Sequence, residues 1–255
     1  MTKTMCPAGR SPYMSGSLPN DMMPMFEAKP FQYPDVQVKG HPEKPLTDVL
    51  RDRRATAHFK SDPVPEDYLQ AILRFAAQAP SGFNLQPWRF IVVRDAANRE
   101  RLKAAALNQE KIGEAPVVVI AFGVRGEWRI HMDAIFREGV RRGTIQAEQV
   151  EAVEKKVEHF LGSFPAAIWL NRHVMIAFTT MMLTAEAYGL DTAPMEGFDP
   201  EAVKREFHLP AEAEVVALLA IGFAQSPDKA YGGRLAVEDI VFAERYGTPW
   251  QSNLP

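Results

Sequence analysis

Apolar residues recur along this chain in two periods, and the alternation between them divides it into elements. Leu69, Ile72, Leu73 and Ala76 fall at i, i+3, i+4 and i+7, the stripe of one helix face. Pro63 and Pro65, followed by Glu66 and Asp67, mark where that helix starts. Phe90-Ile91-Val92-Val93 is instead a β-branched run bounded by charge, the mark of a buried strand. Residues 79–90 therefore form a helix-to-strand connection. Val117 to Phe122 is apolar at every position, as a strand covered on both faces should be, and Val215 to Ile221 reads the same way. Leu46, Val49 and Leu50 make a short helical face, and a charged, alanine-rich helix is predicted from Ala96 to Leu107. Residues 124–165 predict two solvent-facing helices, with a Glu/Lys-rich run from Glu148 to Glu158. Ala166 to Tyr188 is apolar around most of a helix, so it belongs in a large core or an oligomer interface. Gly189 stands where a left-handed residue ends such a helix. Asp199-Pro200-Glu201 caps a further helix up to His208, and Val237 to Phe242 reads as a strand.

Residues 1–45 break this order. They are rich in Pro, Met, Ser and Gly with little periodicity, and predict an irregular arm ahead of a single domain over 46–255. Met14, Met22, Met23 and Met25 in the arm could pack adaptively on another surface.

Composition narrows the function classes. The 255 residues are 46% hydrophobic and 24% charged, which is enough apolar material for a full core. A net charge of -3 gives no field to recruit nucleic acid or an anionic membrane. The single cysteine, Cys6, excludes an intramolecular disulfide and a Cys-rich metal site, and points to a reducing cytoplasm. Pro7, Pro12, Pro19 and Pro24 interrupt any signal-peptide core. Val174 to Leu190 carries Thr179, Thr180, Thr184 and Glu186, too polar to span a bilayer. There is no G-x-G-x-x-G after a strand, no P-loop and no H-E-x-x-H. The histidines, at 41, 58, 131, 159, 173 and 208, have no metal-ligand spacing, and no Ser or Cys sits in a nucleophile elbow.

Two stretches carry candidate chemistry. In the 79–90 connection, Ser81, Asn84 and Gln86 offer side-chain donors and acceptors, and Gly82 lets backbone approach a ligand. Pro80 and Pro87 stiffen its ends while Trp88 anchors its exit. Such a loop suits a flat, polar-edged cofactor, although the same residues serve ordinary turns. Arg51, Arg53 and Arg54 form the second stretch, fit either for bidentate contact to phosphate or for a solvated face.

The first stretch resembles the Ala-Pro-Ser-x-x-Asn-x-Gln-Pro-Trp segment of the FMN-dependent nitroreductase family, and three others resemble that family in order. Arg53-Arg54-Ala55-Thr56-Ala57-His58-Phe59 is similar to its Arg-Arg-Ser-x-Arg-x-Phe, with Ala55 and Ala57 in place of a serine and a basic residue. Gly189-Leu190 through Pro194-Met195-Glu196-Gly197-Phe198 resembles Gly-Leu-x-x-x-Pro-x-x-Gly-Phe. Gly232-Gly233-Arg234 resembles a Lys/Arg-x-Arg segment whose first basic residue is here Gly232. Together these cover roughly residues 46–242.

The resemblance implies an α+β fold, a three-layer α/β/α sandwich with a mixed central sheet, dimeric with a swapped C-terminal strand. It implies that FMN is held by Arg53, Arg54, Ala55 and Arg234 at the phosphate, by Asn108 at the ribityl chain, and by Pro80, Ser81, Gly82, Phe83 and Asn84 at the ring. Gln86 and Trp88 brace that loop. Pro194, Met195, Glu196 and Gly197 pass beside the reactive edge, with a backbone N–H of Glu196–Gly197 aimed at N5. Trp128, His131, Phe136, Phe160 and Phe164 line a lid or simply pack. The implied activity is ping-pong: NADH or NADPH reduces the flavin, and a small-molecule acceptor such as a nitroaromatic or quinone takes two electrons. No side chain acts as nucleophile and no metal is needed. Alternatives on the same fold are reductive dehalogenation, a flavin-consuming reaction, or a non-catalytic flavin-binding redox sensor. The sensor is prompted by the losses at Ala55, Ala57 and Gly232.

Overall fold

The computed structural model describes residues 44–226 and 231–250. The arm over 1–45 therefore lies outside the described residues, apart from Lys44 and Pro45. Lys44 ties the start of the described chain to the body. Its N–H donates to the Ala187 carbonyl at 3.1 Å and its Nζ pairs with the buried Glu186 carboxylate at 2.6 Å.

The elements run α1 (Leu46–Asp52), α2 (Glu66–Ala76), β1 (Trp88–Val93), α3 (Ala96–Ala105), α4 (Glu110–Glu114), β2 (Val117–Val124), α5 (Trp128–Arg141) and α6 (Val150–Gly162). They continue with α7 (Ala166–Ala187), β3 (Asp191–Met195), α8 (Pro200–Glu206), β4 (Ala213–Gly222) and α9 (Val237–Ile240). The strands form one sheet in the order β1-β2-β4-β3, every neighbouring pair antiparallel. The mixed character expected of the sheet is confined to one parallel bridge, Ala55 to Thr192, on the outer edge of β3.

Alternation along the two central strands builds the layers. Val117, Val119 and Ala121 of β2, with Ala217, Leu219 and Ile221 of β4, face α2 and α7 in one core cluster. Val118, Ile120 and Phe122, with Leu218 and Ala220, face residues of α3, α4 and α8 in a second. Period-2 side-chain direction thus sends one sheet into two cores, and this explains why β2 is buried at all eight positions. The three layers expected are present. A third cluster, of Leu85, Trp128, Met132, Ile135, Phe136, Val157, Trp169 and Leu170, lies apart from the sheet and joins the 79–90 loop to α5, α6 and the start of α7.

α7 has 22 residues, roughly 33 Å of helix, and runs along one whole layer. Thr180 and Thr184, which lowered its hydropathy, donate back to the Ile176 and Thr180 carbonyls at 3.0 and 2.8 Å, so neither hydroxyl is left wanting. Gly189 ends the helix with φ 74° as expected. Asp199 caps α8, accepting from Glu201 and Ala202 N–H at 2.9 and 3.2 Å. Among the described residues no helix is long and apolar enough to cross a membrane.

One predicted element is corrected. Val237 to Phe242 is not a strand: it opens with the single helical turn α9, closed by Val241 N–H donating to the Val237 carbonyl at 2.9 Å. Glu238 and Asp239 sit at its positive end, and Phe242 bridges Pro249 rather than the sheet. Without a neighbouring strand, local hydrogen bonds decide the backbone.

Candidate functional site

Of the three arginines near the end of α1, only Arg51 is neutralised by acids among the described residues, Asp48 at 2.8 Å and Asp52 at 3.1 Å. Arg54 instead donates to the Arg51 and Arg53 carbonyls at 2.7 and 2.8 Å, which fixes its guanidinium without cancelling its charge. The side chain of Arg53, half-buried at the helix end, has no hydrogen bond or ion pair among the described residues. Arg234 arrives from the far end of the chain. Its guanidinium lies 5.4 Å from the centroid of Tyr231, and that of Arg54 lies 4.5 Å from the same ring. The first and fourth candidate segments are thus brought together: the Arg54 and Arg234 guanidiniums share one ring, Arg53 is next in sequence, and none of the three has a carboxylate partner among the described residues. Ala55, next in sequence, is held by its bridge to Thr192, and Thr56 N–H donates to the Thr192 carbonyl at 3.0 Å.

β3 carries this corner to the third segment. Pro194 and Met195 are its last two residues, and Glu196 and Gly197 follow as an exposed turn. From Thr192 to Gly197 the chain advances roughly 15 Å. The turn is pinned from another element: Gln109 Nε2 donates to the Gly197 carbonyl at 2.8 Å. Asn108, next to Gln109, and Leu107 both hold left-handed backbones at φ 55°. For a leucine that conformation is an outlier, of the kind that gathers at functional sites. Asn108 is therefore placed beside Glu196–Gly197, while Gln109, the residue that joins them, was not singled out from sequence. A glutamine after a helix looks like any cap.

Pro80 to Asn84 sit elsewhere. Gly82–Asn84 is one 3-10 turn, with φ 56° at Phe83, 57° at Asn84 and 47° at Gln86. Ser81 Oγ accepts from the Gln86 N–H at 2.9 Å, so Ser81 braces the loop. A Cβ at Gly82 would stand 3.2 Å from His173 Nε2 and 3.6 Å from Trp169 Nε1, so a side chain here would press on the imidazole. His173 Nδ1 lies 2.7 Å from the Trp169 carbonyl and must donate to it, leaving Nε2 toward the loop. No local pattern points to His173, whose neighbour Gly82 is some ninety positions away. The lid residues close on the same loop: Phe83 packs edge-on to Phe160 at 5.8 Å, and Phe160 stacks on Phe164 at 5.8 Å. Trp128 and Phe136 are buried in the third cluster, and His131 is half-buried on the same helix.

Strand register measures how far this loop is from the arginines. Trp88 stands opposite Gly123, whereas Thr192 and Val117 both stand opposite Ile221. The two corners are therefore diagonal, roughly 20 Å apart along the strands and about 14 Å across three strand spacings. α7 gives the same answer: Gly82 neighbours His173 near its start, while Lys44 and α1 pack at its end. Within one chain, Pro80–Asn84 do not share a site with Arg53, Arg54 and Arg234. Among the described residues no cluster of His, Cys, Asp and Glu could hold a metal ion.

The comparisons with known proteins agree with this architecture. A chain named NADH dehydrogenase from Thermus thermophilus is 38% identical over 190 residues, covering 74% of this chain and 91% of that one. A nitroreductase-like protein from Streptococcus mutans superposes with a TM-score of 0.70 at 25% identity, over 78% of this chain and 98% of its own. A nitroreductase by assignment from Exiguobacterium sibiricum, solved in complex with FMN, gives 0.71 at 24% identity over 80% and 99%, a likeness of fold. The family model described as the nitroreductase family matches residues 50–223, from the end of α1 to just past β4. This chain belongs to the nitroreductase family.

Proposed function

We propose that this nitroreductase-family chain is an FMN-dependent oxidoreductase that carries two electrons from NADH or NADPH to nitroaromatics, quinones or similar electron-poor acceptors. The observation that carries the reading is the corner where the Arg54 and Arg234 guanidiniums lie over one ring, with Arg53 adjacent in sequence and no ion pair to any of the three among the described residues. Three uncancelled guanidiniums fit a phosphate dianion. They also bear on the losses at Ala55, Ala57 and Gly232, since the charge required is still gathered from other positions.

The length of β3 suits the rest of the cofactor. With phosphate at the arginine corner, roughly 15 Å of chain leads to Glu196 and Gly197, a span comparable to an extended flavin mononucleotide. Asn108 would reach the ribityl chain, and Pro194 and Met195 would line the ring edge. The Gly197 N–H has no partner among the described residues and would point at the position where reduced flavin holds negative charge. When bound, FMN supplies the electron storage, accepting two from the nicotinamide and releasing two to the acceptor. The chain's own part is to bind, orient and cover; solvent supplies protons.

Pro80–Asn84 are too far away to touch that flavin within the same chain, so the reading takes them from a second copy. A homodimer with each site built from both chains satisfies the geometry. Ile168 and Ile176 on α7 are 47% and 39% exposed, and Leu235, Ile240 and Phe242 are 71%, 58% and 37% exposed, which supports their meeting another copy. The C-terminal segment would then cross to the partner, as α9 and its neighbours rather than as a strand. In this reading residues 46–255 form one domain, the 1–45 arm is separate, and the enzyme works in the cytoplasm without nucleic-acid or membrane partners.

Steady-state kinetics with NADH or NADPH and a nitroaromatic or quinone tests the activity. Parallel double-reciprocal lines at varied acceptor are expected. Intersecting lines, or no turnover of either acceptor class by the FMN-loaded protein, would overturn the reading.

A further inference from the structure

Arg89, the second residue of β1, makes contacts that neither the sheet nor the family motifs require. Its Nη1 donates to two carbonyls at the exit of the 79–90 loop, Gln86 at 3.2 Å and Trp88 at 2.7 Å. Its Nε lies 3.1 Å from Glu127 Oε2, at the first turn of α5. Both side chains are largely buried, 21% exposed for Arg89 and 9% for Glu127. The Nε–H is not aligned for a hydrogen bond, so Glu127 Oε2 has charge compensation but no donor. Gln86, which Arg89 holds by its carbonyl, gives its N–H to Ser81 Oγ at 2.9 Å while its own backbone is left-handed at φ 47°. An unbroken path therefore runs from Ser81 through Gln86 and Arg89 to Glu127 on the lid helix.

We propose that Arg89, held by Glu127, is a positioning residue that fixes the flavin-contacting loop and couples it to the lid of α5 and α6. The inference rests on the flavin-binding reading of that loop given above. Consecutive left-handed non-glycine residues persist only where the surroundings over-determine them. A guanidinium whose Nη1 donates to two carbonyls while its charge is held against a buried carboxylate supplies that constraint. The competing account is a buried ion pair that serves stability alone. The two accounts part on replacing both partners by apolar residues of similar size, because that substitution relieves an unpaired buried charge but does not restore the carbonyl contacts.

The experiment compares wild type, Arg89→Met, and the double variant Arg89→Met/Glu127→Met as full chains. Thermal melting, hydrogen exchange of the Gln86 amide in the flavin-free protein, and FMN dissociation constants from flavin fluorescence are read for each. The double variant is expected to recover most of the melting temperature lost by Arg89→Met. Its Gln86 amide should nevertheless exchange faster than in wild type, and FMN should bind about tenfold more weakly or worse. A recovered melting temperature with wild-type exchange and wild-type FMN affinity would overturn the proposal. If the double variant does not fold, Arg89→Lys decides: it keeps a positive charge opposite Glu127, but its one shorter ammonium cannot also occupy the Nη1 position that holds both carbonyls. Faster exchange and weaker FMN binding are expected there, and no change in either overturns the proposal. Failure of wild type to bind FMN counts against the flavin reading instead, and the Gln86 exchange comparison still judges the loop constraint by itself.

Discussion

Arg54 and Arg234, from opposite ends of the described chain, lie over the same ring, 4.5 and 5.4 Å from the centroid of Tyr231. Neither has an acid partner, and Arg53 beside them is also unpaired among the described residues. Cations gathered without counter-ions repel one another, and the proposed reading sets the cofactor's phosphate there. The double variant Arg53→Ala/Arg234→Ala should lose FMN on gel filtration, with dissociation weakened at least about tenfold. The melting temperature of its flavin-free form should stay near that of flavin-free wild type. Full flavin retention by the double variant would sink the phosphate assignment.

The diagonal separation of the two corners has a consequence for mixed dimers. If one flavin takes its arginines from one chain and its Pro-Ser loop from the other, two differently damaged chains can complement each other. Mixing the Arg53→Ala/Arg234→Ala chain with a loop-damaged Ser81→Ala/Asn84→Ala chain should restore one intact site in each heterodimer. Flavin bound by the refolded mixture should exceed that of either variant alone. An unchanged mixture argues for sites built within single chains.

Gln109 is a quieter test. Its 2.8 Å contact to the Gly197 carbonyl is the side-chain hydrogen bond that holds the Glu196–Gly197 turn. Gln109→Leu removes about 1 kcal/mol of restraint from the turn and no charge from the phosphate corner. Stopped-flow traces should show slower flavin reduction by NADH or NADPH with FMN affinity nearly preserved. Equal losses in both would mean that Gln109 acts only through cofactor binding.

Gly82 and His173 should behave as a coupled pair. A methyl at position 82 would come within 3.2 Å of His173 Nε2, tight enough that the imidazole or the loop must shift. Gly82→Ala is expected to cost about 1 kcal/mol by urea unfolding, and much less in a His173→Ala background. Additive costs would place the clash elsewhere.

His131 gives the pH dependence. Burial holds its pKa below the ordinary value near 6.5, the positive charge of Arg89 adds to this, and Glu127 partly offsets it. The unfolded chain thus takes up a proton near pH 6.5 that the folded chain resists. The stability due to neutral His131 is present above that pH and falls as acid carries the solution from 6.5 toward the lowered folded value. Denaturant midpoints measured at pH 7.5 and pH 5.5 should drop more in wild type than in His131→Gln. Equal drops would assign the acid sensitivity to other groups.

Much of the fold was legible because burial writes itself into local pattern. β2 is covered on both faces and so is apolar throughout; α7 lies in the core and reads as a long apolar helix; Asp199 and Gly189 mark helix ends by their own chemistry. β3 was legible only as a motif, since it is five residues long, begins with Asp191 and contains Pro194. α4 is a five-residue helix with too short a period to detect, and α9 has strand-like residues that curl where no strand lies alongside. The site divided in the same way. Arginines and the Pro-Ser loop stand out in sequence, whereas Gln109–Gly197, Gly82–His173 and Arg89–Glu127 are contacts between distant segments that leave no local trace. That the loop and the arginines occupy opposite corners follows from strand register and from the run of α7, not from any local pattern.

The central claim, a flavin that works as an electron carrier, is tested most directly by the visible spectrum of the purified protein before and after anaerobic addition of NADH or NADPH. The account predicts oxidised-flavin bands that bleach on addition and return when a nitroaromatic or quinone is admitted. A protein that binds no FMN even when supplied with it, or bound flavin that neither nicotinamide bleaches, would contradict it.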